Sequence, residues 1–156
     1  MRKKLFLTAI IFIMLLLEGC NFQLISYNEK KANNFFYTKE LLTSMKENSD
    51  FTVSLFQSNL HKELDITKDA IPVLKGFMED LNKDSFVEPP KDLPPTAPYR
   101  IFITFKNQKY IIDVFNEDIV SIHPWDGIFK EDFINMKNIH RAYNLYGLCK
   151  YIFTIE

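Results

Sequence analysis

Two segments of alternating apolar residues, joined by a short polar loop, place the tightest limit on the fold of this chain. Residues 100–105 (RIFITF) and 110–115 (YIIDVF) flank the loop at 106–109, and residues 119–123 follow after a second polar turn. Apolar side chains recur at every second position, which is the period of a strand with one buried face. The sequence therefore predicts a three-stranded antiparallel meander.

The residues before the meander predict further strands and two helices. Residues 51–57 alternate in the same way, and a short second strand is predicted around residues 62–65. Residues 35–48 carry apolar side chains at helical spacing. Another helix is predicted after a cap at Asp69, with Pro72 tolerated in its first turn because the missing N–H has no partner there.

The remaining segments complete the predicted fold class. Five of the seven prolines fall within residues 85–98, which favours an extended connector over a helix or a central strand. Residues 124–132 are predicted as a loop or short helix, and residues 138–153 as a C-terminal helix with Gly147 as a weak point. The prediction is an α+β fold. Its antiparallel sheet contains the meander plus one or two further strands, and two or three helices pack on one face.

The N-terminus has the three parts of a secretory signal. A positively charged start at residues 2–4 precedes an apolar run at residues 5–17 that is interrupted only by Thr8. A membrane-spanning helix needs roughly 20 apolar residues, so this run is short for a permanent anchor. A small residue, Gly19, then stands directly before Cys20. The pattern indicates export of the chain.

The end of this segment resembles the lipobox of bacterial lipoproteins. Leu17 matches the apolar position, Gly19 the small position and Cys20 the acceptor, whereas Glu18 departs from the small or apolar residue usual there. In that family a diacylglycerol is attached to the cysteine sulfur and a peptidase cuts just before the cysteine. The resemblance, together with the element order, implies a small firmicute-type lipoprotein with one domain of unknown function.

This interpretation divides the chain into three parts and sets its location. Residues 1–19 are the predicted signal peptide, residues 20–34 the lipidated N-terminus and tether, and residues 35–156 one α+β domain. The expected location is the extracytoplasmic face of the cell membrane, held by the lipid on Cys20. With Cys20 modified, Cys149 has no intramolecular partner and is expected to be buried as a small apolar side chain.

The charge of the chain bears on its partners. Removing the signal peptide takes away three basic residues and one acidic residue, which changes the formal charge from −1 to about −3. That value gives no electrostatic reason to expect nucleic acid as a partner. The expected partners are the membrane, through Cys20, and an envelope protein or glycan.

The segment at residues 121–132 (SIHPWDGIFKED) holds the strongest candidates for a ligand site. It contains Trp125, the single tryptophan of the chain, next to Asp126 and close to His123. Trp125 could stack on a sugar or peptide while Asp126 accepts hydrogen bonds from it. The interpretation that we favour from sequence is plainer: Trp125 anchors the core, and the Asp126–Gly127 pair forms a turn.

Metal binding and catalysis have weaker support in the sequence. His61, Glu63 and Asp65 alternate like metal ligands on a strand, but such alternation is more typical of the solvent face of an edge strand. We therefore expect no metal and no cofactor. The chain lacks the hydrolase, phosphate-loop and dinucleotide motifs, so a non-catalytic module is predicted. The alternative is an envelope-acting hydrolase that uses the His123/Asp126 loop, which a pocket also containing His140 would support.

Overall fold

A computed structural model of the protein describes residues 31–155, and in this range it has an α+β fold. The helices are α1 (Phe36–Glu47), α2 (Thr67–Asp80) and α3 (Leu145–Ile155), and the strands are β1 (Thr52–Gln57), β2 (Lys62–Asp65), β3 (Phe86–Val87), β4 (Tyr99–Thr104), β5 (Lys109–Val114), β6 (Ile119–Pro124) and β7 (Asp132–Asn135). They form one seven-stranded sheet in the order β2-β1-β4-β5-β6-β7-β3, with every neighbouring pair antiparallel. The predicted fold class is confirmed, and the predicted meander is β4-β5-β6.

The sheet has more strands than the meander plus one or two that the sequence predicts. β7 begins at the last residue of the segment predicted as a loop or short helix, and β3 lies at the start of the predicted connector. β7 puts a charged residue, Asp132, at a fully buried core position, so no apolar alternation is visible there. β3 has two residues, which is too short for any period to show. Both strands add to the sheet at the β6 side.

The core lies between one face of the sheet and the helices. Alternate residues of the central strands point to this side and are buried, as the strand period requires. They are Val53, Leu55, Ile101, Ile103, Tyr110, Ile112, Val114, Val120, Ile122 and Ile134. Leu74 and Phe77 of α2 and Leu148 of α3 belong to the same cluster. The opposite side, called here the second face, holds the other set of alternate side chains.

Cys149 lies in this core as predicted. It is a buried free cysteine on α3. Burial raises the pKa of its thiol well above the ordinary value. Because the thiolate is the reactive form, Cys149 behaves as an inert apolar side chain.

Two helix starts differ from the sequence prediction for local reasons. α2 begins at Thr67, before the predicted cap, since Asp65 Oδ1 accepts a hydrogen bond from the Thr67 N–H at 2.9 Å. Pro72 therefore lies inside α2 rather than in its first turn. The predicted C-terminal helix is split into a 3-10 turn and α3. Asn144 separates them, because its Oδ1 accepts from the Gly147 N–H at 3.0 Å and so caps the start of α3.

The first described residues are fastened to the domain. Lys31 forms an ion pair with the buried Asp132 carboxylate and donates to the Lys130 carbonyl at 2.7 Å. Asp132 Oδ2 also accepts from the Thr38 N–H and Oγ1, at 2.7 and 2.8 Å, in the first turn of α1. The predicted signal peptide and Cys20 lie outside the described residues. Within residues 31–155, no helix has the length and apolar character needed to cross a membrane.

The proline-rich connector holds no helix or strand from residue 88 to residue 98, in agreement with the prediction for those residues. Its end is attached to β1. The Ser58 N–H donates to the Pro98 carbonyl at 2.9 Å, and Ser58 Oγ donates to the Ala97 carbonyl at 2.6 Å. The connector thus leads the chain from β3 at one side of the sheet to β4 in its centre.

Candidate functional site

The second face of the sheet carries polar and aromatic side chains instead of an aliphatic core. The described helices pack on the other face. The second face presents, by strand position, Ser54, Phe56, Arg100, Phe102, Ile111, Asp113, Ser121, His123 and Phe133. Buried polar side chains on this face need hydrogen-bond partners, and the contacts among them form the candidate site.

A hydrogen-bonded network links three central strands on the second face. Arg100 Nε on β4 donates to Asp113 Oδ1 on β5 at 2.8 Å, and His123 Nε2 on β6 lies 3.2 Å from Asp113 Oδ2. Ser121 Oγ, also on β6, donates to Glu131 Oε2 just before β7. Asp113 and Ser121 are buried. Two carboxylates are thus held against a guanidinium and an imidazole in a partly dry setting.

The network favours the charged form of His123. Its Nδ1 lies 3.0 Å from the Pro124 carbonyl oxygen, so both ring nitrogens face oxygen acceptors. Burial opposes the charge, but the hydrogen bonds to Asp113 and Pro124 and the nearby Glu131 carboxylate outweigh it and raise the pKa of His123. A ring with both N–H groups engaged has no free lone pair with which to accept a proton from a substrate.

Trp125 lies at the end of β6 and faces solvent. The backbone N–H of Trp125 donates to the Lys109 carbonyl at 2.9 Å, and this bond holds Trp125 beside the start of β5. Its side chain is 67% exposed, so the expectation that it anchors the core is wrong. The expected turn is present: the Gly127 N–H donates to the Pro124 carbonyl at 3.2 Å. This turn lifts Trp125 and Asp126 off the sheet.

A groove runs between this turn and the β4–β5 loop, and we call it the Trp125 groove. It has a volume of about 580 Å³ and is lined by Thr104, Phe105, Lys106, Asn107, Gln108, Lys109, Trp125 and Asp126. The Lys109 ammonium lies 5.1 Å from the Trp125 ring centroid and 4.1 Å from that of Phe102. Cation–π contact with Lys109 helps to fix the indole plane. The groove therefore combines an exposed aromatic ring with hydroxyl, amide and carboxylate groups.

The residues predicted for the hydrolase alternative do not meet. Asp113, not Asp126, is the carboxylate bonded to His123. Asp126 is exposed and lines the Trp125 groove. The His140 N–H donates to Asp80 Oδ2 at 2.8 Å at the end of α2, on the helical side of the sheet. Neither His123 nor His140 lines the Trp125 groove, in which Asp126 lies.

The alternating residues near β2 take structural roles. His61 precedes the strand in a turn with a φ of 50°, Glu63 Oε1 accepts from Ser54 Oγ at 2.5 Å, and Asp65 Oδ1 accepts from the Thr67 N–H at the start of α2. All three are exposed at the edge of the sheet. This agrees with the expected solvent face of an edge strand.

The sequence alone predicted no site role for four members of the polar network, Arg100, Asp113, Ser121 and Glu131, although Ser121 and Glu131 lie within the candidate segment at residues 121–132. Part of the signal was present. Arg100 and Asp113 occupy polar positions of two predicted neighbouring strands, and they are direct partners in the β4–β5 register. Opposite charges on such a pair indicate a cross-strand ion pair. The contact of Glu131 with Ser121 could not be predicted, because β7, which follows Glu131, was itself not predicted.

Comparisons with known proteins agree with this architecture. The chain resembles a crystal structure of a putative lipoprotein from Clostridium perfringens, with a TM-score of 0.71 and 25% sequence identity, covering 80% of this chain and 99% of that one. No curated protein sequence matches. The family described as "Domain of unknown function (DUF4883)" matches residues 31–149, which is about three quarters of the chain. The protein therefore belongs to the DUF4883 family.

Proposed function

We propose that this protein is an exported, lipid-anchored module that binds a glycan of the cell envelope. Two observations support the anchor: the lipobox-like residues 17–20, and the fold shared with the Clostridium perfringens protein, whose name also says lipoprotein. Cleavage after Gly19 would leave Cys20 as the first residue. Two or three acyl chains on one cysteine give stable membrane attachment, whereas a single chain binds only marginally.

The observation that carries the binding function is the exposed indole of Trp125 at the Trp125 groove. Trp125 differs from Tyr151, which has similar exposure, because its ring lines a groove together with polar side chains and is therefore open to a ligand there. A sugar ring offers an apolar C–H face to an indole and hydroxyl groups to neighbours such as Asn107, Gln108 and Asp126. A few placed polar groups beside an aromatic surface are what small-ligand sites use to fix orientation.

The geometry supports binding over hydrolysis. Hydrolysis needs a base within reach of a nucleophile or water. His123 has both ring nitrogens on acceptors, and Ser121 Oγ is bonded to Glu131. Asp126 lines the groove in an exposed turn, and its carboxylate is not the one bonded to His123. We therefore propose a non-catalytic module.

Sedimentation of the purified full-length protein with peptidoglycan sacculi, and its titration with soluble wall glycans, tests this function. We expect wild type to bind and Trp125→Ala to bind about 30-fold more weakly, since an aromatic hot spot contributes about 2 kcal/mol. The folding stability of Trp125→Ala should be unchanged, because the ring is mostly exposed.

Tyr151→Ala is the matched control. Tyr151 is 61% exposed on α3, away from the Trp125 groove, and its loss should leave binding unchanged. If Trp125→Ala binds as tightly as Tyr151→Ala, the Trp125 groove is not the ligand site. If wild type binds none of these glycans, the proposed ligand class is wrong.

A further inference from the structure

We propose that Asp113, His123 and Glu131 form a binding site for a divalent cation of the zinc class. One ligand atom from each of these residues lies within 4.8 Å of the corresponding atoms of the other two. Within residues 31–155, these are the acidic, histidine or cysteine side chains that bring three potential ligand atoms so close together. The proposal does not depend on the glycan, because the cluster lies beside the Trp125 groove and shares no lining residue with it.

The three side chains are held on neighbouring strands. Asp113 lies on β5, His123 on β6, and Glu131 directly before β7. In the β5–β6 register His123 faces Ile111 and Asp113 faces Ser121, so His123 and Asp113 are diagonal neighbours on the second face. Sites built on sheet strands keep their geometry better than sites built on loops.

Each proposed ligand is oriented by a second contact of its own. Arg100 Nε holds Asp113 Oδ1, Ser121 Oγ holds Glu131 Oε2, and His123 Nδ1 lies against the Pro124 carbonyl. Metal-binding histidines commonly donate their other ring N–H to a carbonyl or carboxylate, and ligating carboxylates are themselves hydrogen-bonded. This arrangement leaves His123 Nε2 and Asp113 Oδ2 facing one another at 3.2 Å.

The chemistry of the donor set selects the kind of ion. One imidazole nitrogen with two carboxylate oxygens suits zinc and similar transition ions, whereas magnesium and calcium prefer oxygen alone. The bound ion takes the place of the proton between His123 Nε2 and Asp113 Oδ2. Three protein ligands leave a coordination position for water or for a ligand group. The partly buried carboxylates favour a cation there because water screens them less.

Calorimetric titration of Zn²⁺ into the metal-free full-length protein in detergent micelles tests the site, with Co²⁺ absorption as a second readout. Wild type should bind one ion at this cluster, and His123→Ala and Glu131→Gln should lose that binding. His140→Ala and Glu63→Gln are the matched controls and should keep it, since both residues are exposed and lie elsewhere. Trp125→Ala should also keep it, which separates this site from the proposed glycan site.

A pair of serine variants distinguishes an oriented site from adventitious binding. Ser121 and Ser54 both donate a hydroxyl to a glutamate on the second face, but only Ser121 contacts a proposed ligand. Ser121→Ala should weaken Zn²⁺ binding by about 10- to 100-fold, the range found for outer partners of metal ligands, and Ser54→Ala should have no effect.

Three outcomes would overturn the proposal. They are the absence of a one-to-one Zn²⁺ complex in wild type, equal loss of binding in His123→Ala and His140→Ala, and undiminished binding in Glu131→Gln. If His123→Ala fails to fold, Glu131→Gln alone tests the metal site. It should fold, because a glutamine oxygen can still accept the Ser121 hydrogen bond. Melting curves recorded without metal confirm that each variant is folded.

Discussion

At the scale of single residues, Asp132 joins β7 to the beginning of the domain, where its partner Thr38 lies 94 residues earlier in the sequence. Its carboxylate is fully buried, pairs with Lys31, and accepts two hydrogen bonds from Thr38 at the start of α1. A carboxylate near a helix N-terminus is favoured because the free N–H groups there carry partial positive charge. The negative charge of Asp132 also affects Glu40, which lies two residues after Thr38 on α1.

Glu40 is expected to destabilise the folded protein at neutral pH. Burial first, and then the nearby Asp132 carboxylate, raise the pKa of Glu40. A carboxyl whose pKa is raised on folding favours the folded state below its ordinary pKa, and that contribution is lost as the pH rises through the raised pKa. Glu40→Gln should therefore raise the free energy of unfolding at pH 7 by about 0.5 kcal/mol, typical of partly exposed charges.

Urea unfolding at several pH values measures this effect. The gain from Glu40→Gln should shrink as the pH falls towards 3, because the glutamate is then protonated as well. Glu88→Gln, on the exposed connector, provides the control and should show no gain at any pH. A loss of stability in Glu40→Gln at pH 7 would contradict the sign of the interaction.

At the scale of elements, regular alternation made the central strands predictable from sequence. In β1, β4, β5 and β6, apolar residues recur at alternate positions on the helical face, so a period of two is visible in the sequence. β7 was missed because its buried Asp132 looks like a surface residue until its partners on α1 and Lys31 are known. The break before α3 was missed because it depends on a side-chain cap from Asn144.

Two helical glycines should respond oppositely to alanine. A Cβ at Gly76 of α2 would lie 2.4 Å from the Tyr143 ring, so the ring or the helix must move, at about 1–3 kcal/mol. That cost exceeds the gain in helix propensity of about 1 kcal/mol. At Gly147 of α3 the nearest atom is 3.8 Å away, and φ is not positive. We expect Gly76→Ala to lower the melting temperature and Gly147→Ala to leave it unchanged or raise it.

Gly76→Ala and Gly147→Ala together test how α2 packs against the 3-10 turn at Arg141–Tyr143. Differential scanning calorimetry of both variants and of wild type gives the comparison directly. A Gly76→Ala protein at least as stable as Gly147→Ala would mean that Tyr143 does not lie over α2 as described.

At the scale of the whole molecule, the sheet separates stability from proposed function. Its helical face is an aliphatic and aromatic core, whereas its second face and the adjoining Trp125 groove hold the exposed and charged groups. Sequence reasoning found Trp125, Asp126 and His123 because they are neighbours in one segment. It did not find Arg100, Asp113 and Glu131 with His123, since that cluster exists only once β4, β5, β6 and β7 are aligned.

The proposed lipid anchor would hold these surfaces at the membrane, and the intact mass of the protein recovered from cell membranes tests it most directly. We expect a chain that begins at Cys20, carries the added mass of a diacylglycerol on its sulfur, and leaves the membrane fraction when Cys20 is changed to Ser. A chain that still begins at Met1, or one that begins at an unmodified Cys20, would contradict it.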